Sequence, residues 1–266
     1  MKKLILNLLI LISGVFAFAS CNLISSAGFN SKGLPTPAVN NEVLTDKESA
    51  VKLDHSTWNE LLQKYVTDEG MVDYQGFKKD REKLDKYLKM LSDQNPDESW
   101  STAELLAYYI NLYNAYTVDL ILRNYPVNSI KDIDSPWTKE FIKVGDTRIS
   151  LGGLENSILR KMKEPRIHFA INCASISCPK LMNEAYNAEN IEEQLERATR
   201  EFINSDKNEI SSGSAKLSSI FDWYKGDFTE NGETLIGYVN RYANIKIDPG
   251  ATISYKEYDW NLNEAK

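Results

Sequence analysis

Cysteine and histidine are scarce in this chain: 266 residues include three of the former and two of the latter. Strong nucleophiles and side chains that titrate near neutrality are therefore few. Basic residues are in deficit, with 31 Lys and Arg against 38 Asp and Glu for a net charge of −7. No Lys/Arg run gathers in one segment, which argues against nucleic acid as a partner. After the first twenty residues no apolar stretch nears the roughly 18 residues that cross a bilayer, which excludes a multi-span channel or transporter. What is present is ordinary globular material, 42% hydrophobic and 26% charged. That balance excludes collagen-like, wholly disordered and coiled-coil classes.

Met1-Lys2-Lys3 is a positive n-region, and Leu4 to Phe18 is an apolar stretch of secretory length ending at Ala19-Ser20 before Cys21. Residues 1–20 are expected to be a signal peptide rather than structure. Phe18-Ala19-Ser20-Cys21 resembles the lipobox of bacterial lipoproteins, in which the Cys becomes the acylated first residue. The alternative is ordinary cleavage with Cys21 as a stray thiol. Acyl chains such as palmitate at Cys21 would make the membrane a partner through a lipid anchor in the cell envelope, with the leaflet open. Residues 21–50 are rich in Ser, Gly, Asn and Pro without an apolar period and are expected to form a flexible tether. Residues 51–266 then form a single domain large enough to bury a core without disulfides.

Within the domain, Thr57-x-x-Glu60 is a capping box opening a helix through Tyr65, and a second helix is expected from Gly76 or Phe77 to Leu91. Ser101-x-x-Glu104 opens a helix from Ala103 to Arg123 that is apolar nearly all round, so neighbours should bury it on several sides. Phe141–Val144 and Thr147–Ile149 flank Gly145-Asp146 as a hairpin, and a helix follows from Leu154 to Met162. Arg166 to Asn172 reads as a central strand, Pro179 as the first turn of a short helix, and Asn187 as the cap of a helix to about Asn204. From Lys216 short strands alternate with a helical pattern at Leu235 to Tyr242. The expected class is α+β, a long buried central helix packed on a small mixed or antiparallel sheet.

Three of the domain's four His and Cys lie within eleven residues, in Arg166-Ile-His168-Phe-Ala-Ile-Asn172-Cys173-Ala-Ser-Ile-Ser-Cys178-Pro179. A thiol at a helix N-terminus is biased toward thiolate, and a neighbouring imidazole can take its proton. In an extended strand His168 and Cys173 point to opposite faces, so a turn near Asn172 must re-aim one of them; Cys178 has no such parity problem. Plainer readings stand beside catalysis: a Cys173–Cys178 disulfide closing a short loop, thiols buried as small apolar groups, and His168 as a hydrogen-bonded core residue rather than a base. A C-x4-C pair with one nearby His has an unusual spacing for metal, and no metal or other cofactor is expected. Glu104, Asn111 and Asn114 share one face of the long helix, where they either lock neighbouring loops or orient a catalytic group. Glu155, Asn156 and Trp137 are candidate substrate contacts. The alternatives are a helix cap for Glu155-Asn156 and core or rim packing for Trp137, as for Phe221-Asp222-Trp223-Tyr224.

From about Trp58 to Trp260 the chain resembles the bacterial family of domain of unknown function 547. The likeness is carried by Tyr74-Gln-Gly-Phe77, Ala107-Tyr-Tyr-Ile-Asn-Leu-Tyr-Asn-Ala115, Ser129-Ile130 with Pro136-Trp137, His168 to Pro179, Ile220-Phe-x-Trp-Tyr224 and Tyr258-Asp-Trp260. The resemblance implies an envelope domain without an assigned reaction, with a distant likeness to papain-like or transglutaminase-like cysteine enzymes. Related plant sequences keep Cys at the position of Cys173 and Ser at that of Cys178, which favours Cys173 as the shared nucleophile. Many relatives carry His where this chain has Asn156; if that His is their base, this chain lacks it.

Two functions follow as expectations. One is a cysteine-dependent hydrolase or acyl transferase on an amide or ester. There Cys173, or less readily Cys178, is nucleophile, His168 is base, and Asn111, Asn114 or Glu104 orient the imidazole or donate to the oxyanion. An unknown peptide or cell-wall ligand would be its partner. The other is a non-catalytic binding or scaffold lipoprotein with bonded or buried thiols.

Overall fold

The computed structural model describes residues 30–39, 48–230 and 232–266. The expected signal peptide, Cys21 and part of the tether lie outside the described residues. Among the described residues there are nine α-helices and five short strands, a mixed α+β arrangement. The helices are α1 (Ser56–Tyr65), α2 (Tyr74–Lys79), α3 (Arg81–Ser92), α4 (Thr102–Asn124), α5 (Leu151–Ser157), α6 (Ile191–Ile203), α7 (Ile220–Trp223), α8 (Lys225–Phe228) and α9 (Leu235–Tyr242). The strands are β1 (Ile142–Val144), β2 (Thr147–Ile149), β3 (Glu209–Ile210), β4 (Ser214–Leu217) and β5 (Thr252–Tyr255).

The long helix α4 forms as expected, with Ser101 Oγ accepting the Glu104 N–H at 3.1 Å. Its 23 residues span about 35 Å, and all but the first and the last two are buried. Helices α2, α3, α5 and α6 surround it, which is why an element apolar on every side can exist here. Asp119, fully buried on α4, is tolerable there because Arg81 and Arg123 pair with it at 2.5 and 2.7 Å. The antiparallel hairpin β1–β2 is also where the sequence puts it.

A second core gathers Phe169, Phe202, Phe221, Phe228 and Tyr238 against the three-stranded sheet. That sheet is mixed, β3 antiparallel and β5 parallel to β4. Between the two cores runs the chain from Pro165 to Pro179: Ile167 and Ala170 belong to the first core and Phe169 to the second.

Several expectations are corrected here. Residues Arg166 to Asn172 are not a strand; Pro165–Phe169 is a 3-10 turn whose N-cap carboxylate, Glu164, accepts the Arg166 N–H at 3.0 Å. A short apolar run buried on both sides does not distinguish strand from helix, and Pro165 at the first helical position decided it. No helix starts at Pro179, so neither thiol has a helix N-terminus beside it. The expected helix through Leu91 is broken at Asp80 into α2 and α3. Thr57 does not cap α1, which begins a residue earlier without a side-chain cap bond. Residues 30–39 lie against the domain: Leu34 is in the core, and Tyr109 donates to the Pro35 carbonyl at 3.1 Å.

Burial also makes a pH-dependent contribution to stability. His55 is buried with Nδ1 2.7 Å from the Tyr87 hydroxyl, and desolvation lowers its pKa from 6.5 to about 4. The unfolded chain binds a proton below about pH 6.5 and the folded one resists until about 4, so stability falls as pH drops through that window. Between pH 7 and 4.5 the loss from His55 is about 2.5 kcal/mol. Urea unfolding of wild type and His55→Gln at the two pH values should show a smaller pH difference in the variant; equal differences would exclude His55 as the cause.

Candidate functional site

The thiols meet at the exit of the Pro165–Phe169 turn. Asn172 and Cys173 lead into Ala174, whose φ of +60° is the left-handed conformation. An alanine there carries about 1 kcal/mol of strain, held by the surroundings. This is the re-aiming turn that parity required. The Asn172 side chain closes it, accepting the Ala174 N–H at 2.8 Å and donating to the Pro179 carbonyl at 2.7 Å. Cys178 thereby folds back over Cys173: the sulfurs are 2.6 Å apart, and the Cys173 N–H donates to Cys178 Sγ at 2.8 Å. Both cysteines are free, Cys173 half-buried and Cys178 buried.

The C-terminal segment delivers a third group. Residues 174–177 pair with 259–263 through Ile176 N–H to Asn261 O at 2.8 Å, Ser177 N–H to Asp259 O at 3.1 Å and Asn263 N–H to Ala174 O at 3.2 Å. That pairing sets the Tyr258 hydroxyl 3.2 Å from Cys173 Sγ. On the other side Gly70 approaches Lys180 so closely that a Cβ would lie 2.2 Å from the lysine Cβ, fixing the chain just beyond Cys178.

The two sulfurs differ electrostatically. Hydrogen bonding with Cys178, then with Tyr258 and Ser175, lowers the Cys173 thiol below its ordinary value, against the opposing effects of burial and the Glu155 charge. Burial pushes Cys178 well above it, and its neighbour Cys173 adds to the rise. Cys173 is the sulfur favoured as thiolate.

His168 is a hydrogen-bonded core residue rather than the partner of a thiol. Its Nε2 is 2.8 Å from Asp227 Oδ2, and its ring stacks on Tyr224 with centroids 4.0 Å apart. Among the described residues neither thiol is hydrogen-bonded to an imidazole. Asp227 also takes a two-pronged contact from Arg160, at 2.6 and 2.8 Å. Burial alone would raise Asp227, but the Arg160 and His168 bonds hold its carboxyl well below the usual range. The Tyr224 hydroxyl donates to Glu155, whose charge, after burial, pushes both the Tyr224 and Tyr113 phenols up. Glu155–Tyr224 and His168–Asp227 are thus two hydrogen-bonded pairs joined by the stacked Tyr224 and His168 rings.

The remaining candidates separate from the chemistry. Asn114 donates to the Ala170 carbonyl at 3.0 Å and accepts the Asn172 N–H at 2.9 Å. Asn111 clasps the Tyr186 backbone at 2.7 and 3.1 Å, and Glu104 accepts the Leu53 N–H at 2.9 Å. None reaches His168, so the expectation that they orient the imidazole is replaced by the loop-locking alternative. Asn156 accepts from Arg160 Nη1 at 2.8 Å and so supports Asp227 indirectly. Trp137 packs edge-on against Trp260, beyond which Trp223 and Tyr258 continue a row of half-buried rings.

Asp227 and Tyr258 were missed. Tyr258 stood in the Tyr258-Asp-Trp260 motif and so had a signal; Asp227, 59 residues from His168, had none. Beside Tyr258 opens a cleft of about 190 Å³ whose lining pairs Lys207 and Lys256 with Asp206 and Glu257 among Ser177, Ser218 and Ser219. Its polar lining suits a polar rather than an acyl-chain ligand. No group of three or more His, Cys, Asp or Glu with metal-binding geometry is found among the described residues, nor a helix long and apolar enough to cross a membrane.

Residues 98–203 match the family described as "Protein of unknown function, DUF547". The match covers about two fifths of the chain and supports the resemblance read from the sequence. No curated protein and no solved structure matches. The matched segment carries α4, His168 and both thiols, whereas Tyr224, Asp227 and Tyr258 come from the chain that follows it.

Proposed function

We propose that this chain is a cysteine-dependent hydrolase or acyl transferase acting on an amide or ester, with Cys173 as nucleophile. The observation that carries the reading is a free, half-buried thiol whose sulfur is met by a second thiol and a phenol beside a polar cleft. The Cys173 thiolate attacks the acyl carbon, a C–S bond forms, and the C–N or C–O bond breaks. The departing nitrogen or oxygen takes a proton, for which the Tyr258 hydroxyl is the nearest donor from outside the thiol loop. Water or another acceptor then attacks the thioester carbon, its proton returning to the Tyr258 oxygen as the C–S bond breaks and the thiolate is restored. His168 acts as a positioning residue: held by Asp227 and stacked on Tyr224, it fixes the phenol that bonds Glu155.

The same proposal includes the address. A basic n-region, an apolar h-region and Cys21 after Ala19-Ser20 support a bacterial lipoprotein anchored in the cell envelope, and a peptide or cell-wall amide as substrate.

The test is the rate of iodoacetamide labelling of the full chain against pH, resolved by peptide mapping. Cys173 should react with an apparent pKa below about 8.5, and Tyr258→Phe should slow it about tenfold at pH 7 with the rates converging at high pH. A Cys173 that labels only after reduction, or a variant indistinguishable from wild type, would remove the basis of the reading.

A further inference from the structure

Two free thiols in contact, one half-buried and one buried, are more than a single nucleophile requires. Acyl transfer uses Cys173 and leaves Cys178 with only a supporting part. The loop is built to bring the second sulfur onto the first. Asn172 closes a turn through the left-handed Ala174, and the backbone N–H of Cys173 points at Cys178 Sγ at 2.8 Å. The sulfurs, at 2.6 Å, are about half an ångström beyond bonding distance, so a disulfide needs no large rearrangement of the loop. The asymmetry of the pair is that of an attacking and a resolving thiol: Cys173 is reachable and favoured as thiolate, while Cys178 is hidden and kept protonated by burial.

We infer that Cys173 and Cys178 form a dithiol exchange pair that reduces a small or exposed disulfide, Cys173 attacking from the open side of the loop and Cys178 resolving from beneath it. The Cys173 thiolate attacks one sulfur of the substrate disulfide; that S–S bond breaks, and the leaving sulfur takes a proton. A mixed disulfide on Cys173 results. Cys178 then gives up its proton and attacks Cys173 Sγ, releasing the second substrate sulfur as a thiol. The substrate gains two electrons and two protons, and the protein is left with an internal disulfide that an external dithiol returns to the starting state. The inference shares its nucleophile with the acyl-transfer reading but needs no acyl substrate.

The experiment treats the reduced full chain with oxidised glutathione, quenches with acid and alkylating agent, and reads intact mass with peptide mapping to separate Cys21 from the pair. Wild type is expected to lose two hydrogens without retaining glutathione at either position. Cys178→Ser should accumulate glutathione on Cys173, with complete loss of the internal disulfide, and dithiothreitol should reverse both products. Wild type that retains glutathione on Cys173 as the variant does would overturn the inference. So would Cys173→Ser taking up glutathione at Cys178 as fast as Cys178→Ser does at Cys173. Wild type that stays unoxidised across glutathione buffers of graded potential overturns it without recourse to any variant. An ester probe run in parallel keeps the two readings apart: an acyl adduct without the internal disulfide leaves only acyl transfer standing, and the reverse leaves only dithiol exchange.

Discussion

Cys173→Ser is expected to lower turnover of an activated ester such as p-nitrophenyl acetate by about 10³-fold or more, and to abolish the acyl adduct on this loop in intact-mass spectra. The size follows from what surrounds the sulfur. Cys173 is stabilised as thiolate by hydrogen bonds from Cys178 and Tyr258, not by an imidazole poised to take its proton. A thiol can use such a site because it ionises a unit or two above neutrality even in water. A serine hydroxyl does not, and with no base in bonding distance it stays protonated. Retention of activity within tenfold of wild type would therefore show either that another residue is the nucleophile or that a base reaches Cys173 in the bound state. The pH profile separates these cases. Thiolate attack rises with the ionised fraction of Cys173 and levels off above its lowered pKa, whereas attack through a base follows that base.

How far this site could be read in the sequence depended on how local each part is. The thiol loop was legible because its chemistry is packed into fourteen residues, and parity along the chain already required a turn near Asn172. Helix α4 was legible because an apolar stretch of that length, opened by Ser101 and interrupted by few polar groups, has no other use than a buried helix. The Arg166 to Asn172 strand was not, since a short run buried on every side is shared by a central strand and a 3-10 turn held between two cores. The signal that distinguished them, Glu164-Pro165, is a cap followed by the residue best suited to the first helical position. Long-range partners were the least legible. Tyr258 reaches Cys173 only because the segment from Asp259 to Asn263 pairs with the thiol loop, and Asp227 reaches His168 across two short helices and a second core. No spacing rule encodes either. The same reason undid the roles given to Asn111 and Asn114. Their common helix face was correct, but what they touch is decided by segments more than fifty residues away.

That correction makes Asn114 the place where stability and the site are most directly joined. Its side chain is buried and makes two bonds, to the Ala170 carbonyl and from the Asn172 N–H, at the two ends of the bend that leads to Cys173. Asn114→Ala leaves one backbone donor and one acceptor unpaired in the core, at about 1–3 kcal/mol each, so a loss of roughly 2–6 kcal/mol is expected in urea unfolding. Asn111→Ala removes an equivalent clasp on Tyr186 and should cost a similar amount, which makes it the natural control. The two variants should part at the thiols. Asn172 also closes the Ala174 turn, so freeing its backbone loosens the contact between Cys173 and Cys178. Without that contact the strongest influence lowering the Cys173 pKa is gone. Labelling of Cys173 at pH 7 should slow about tenfold in Asn114→Ala and stay near the wild-type rate in Asn111→Ala, both measured well below their unfolding midpoints. Equal labelling in the two variants would mean that the loop holds its shape without Asn114. The strain at Ala174 would then have to be supported by the pairing with the C-terminal segment alone.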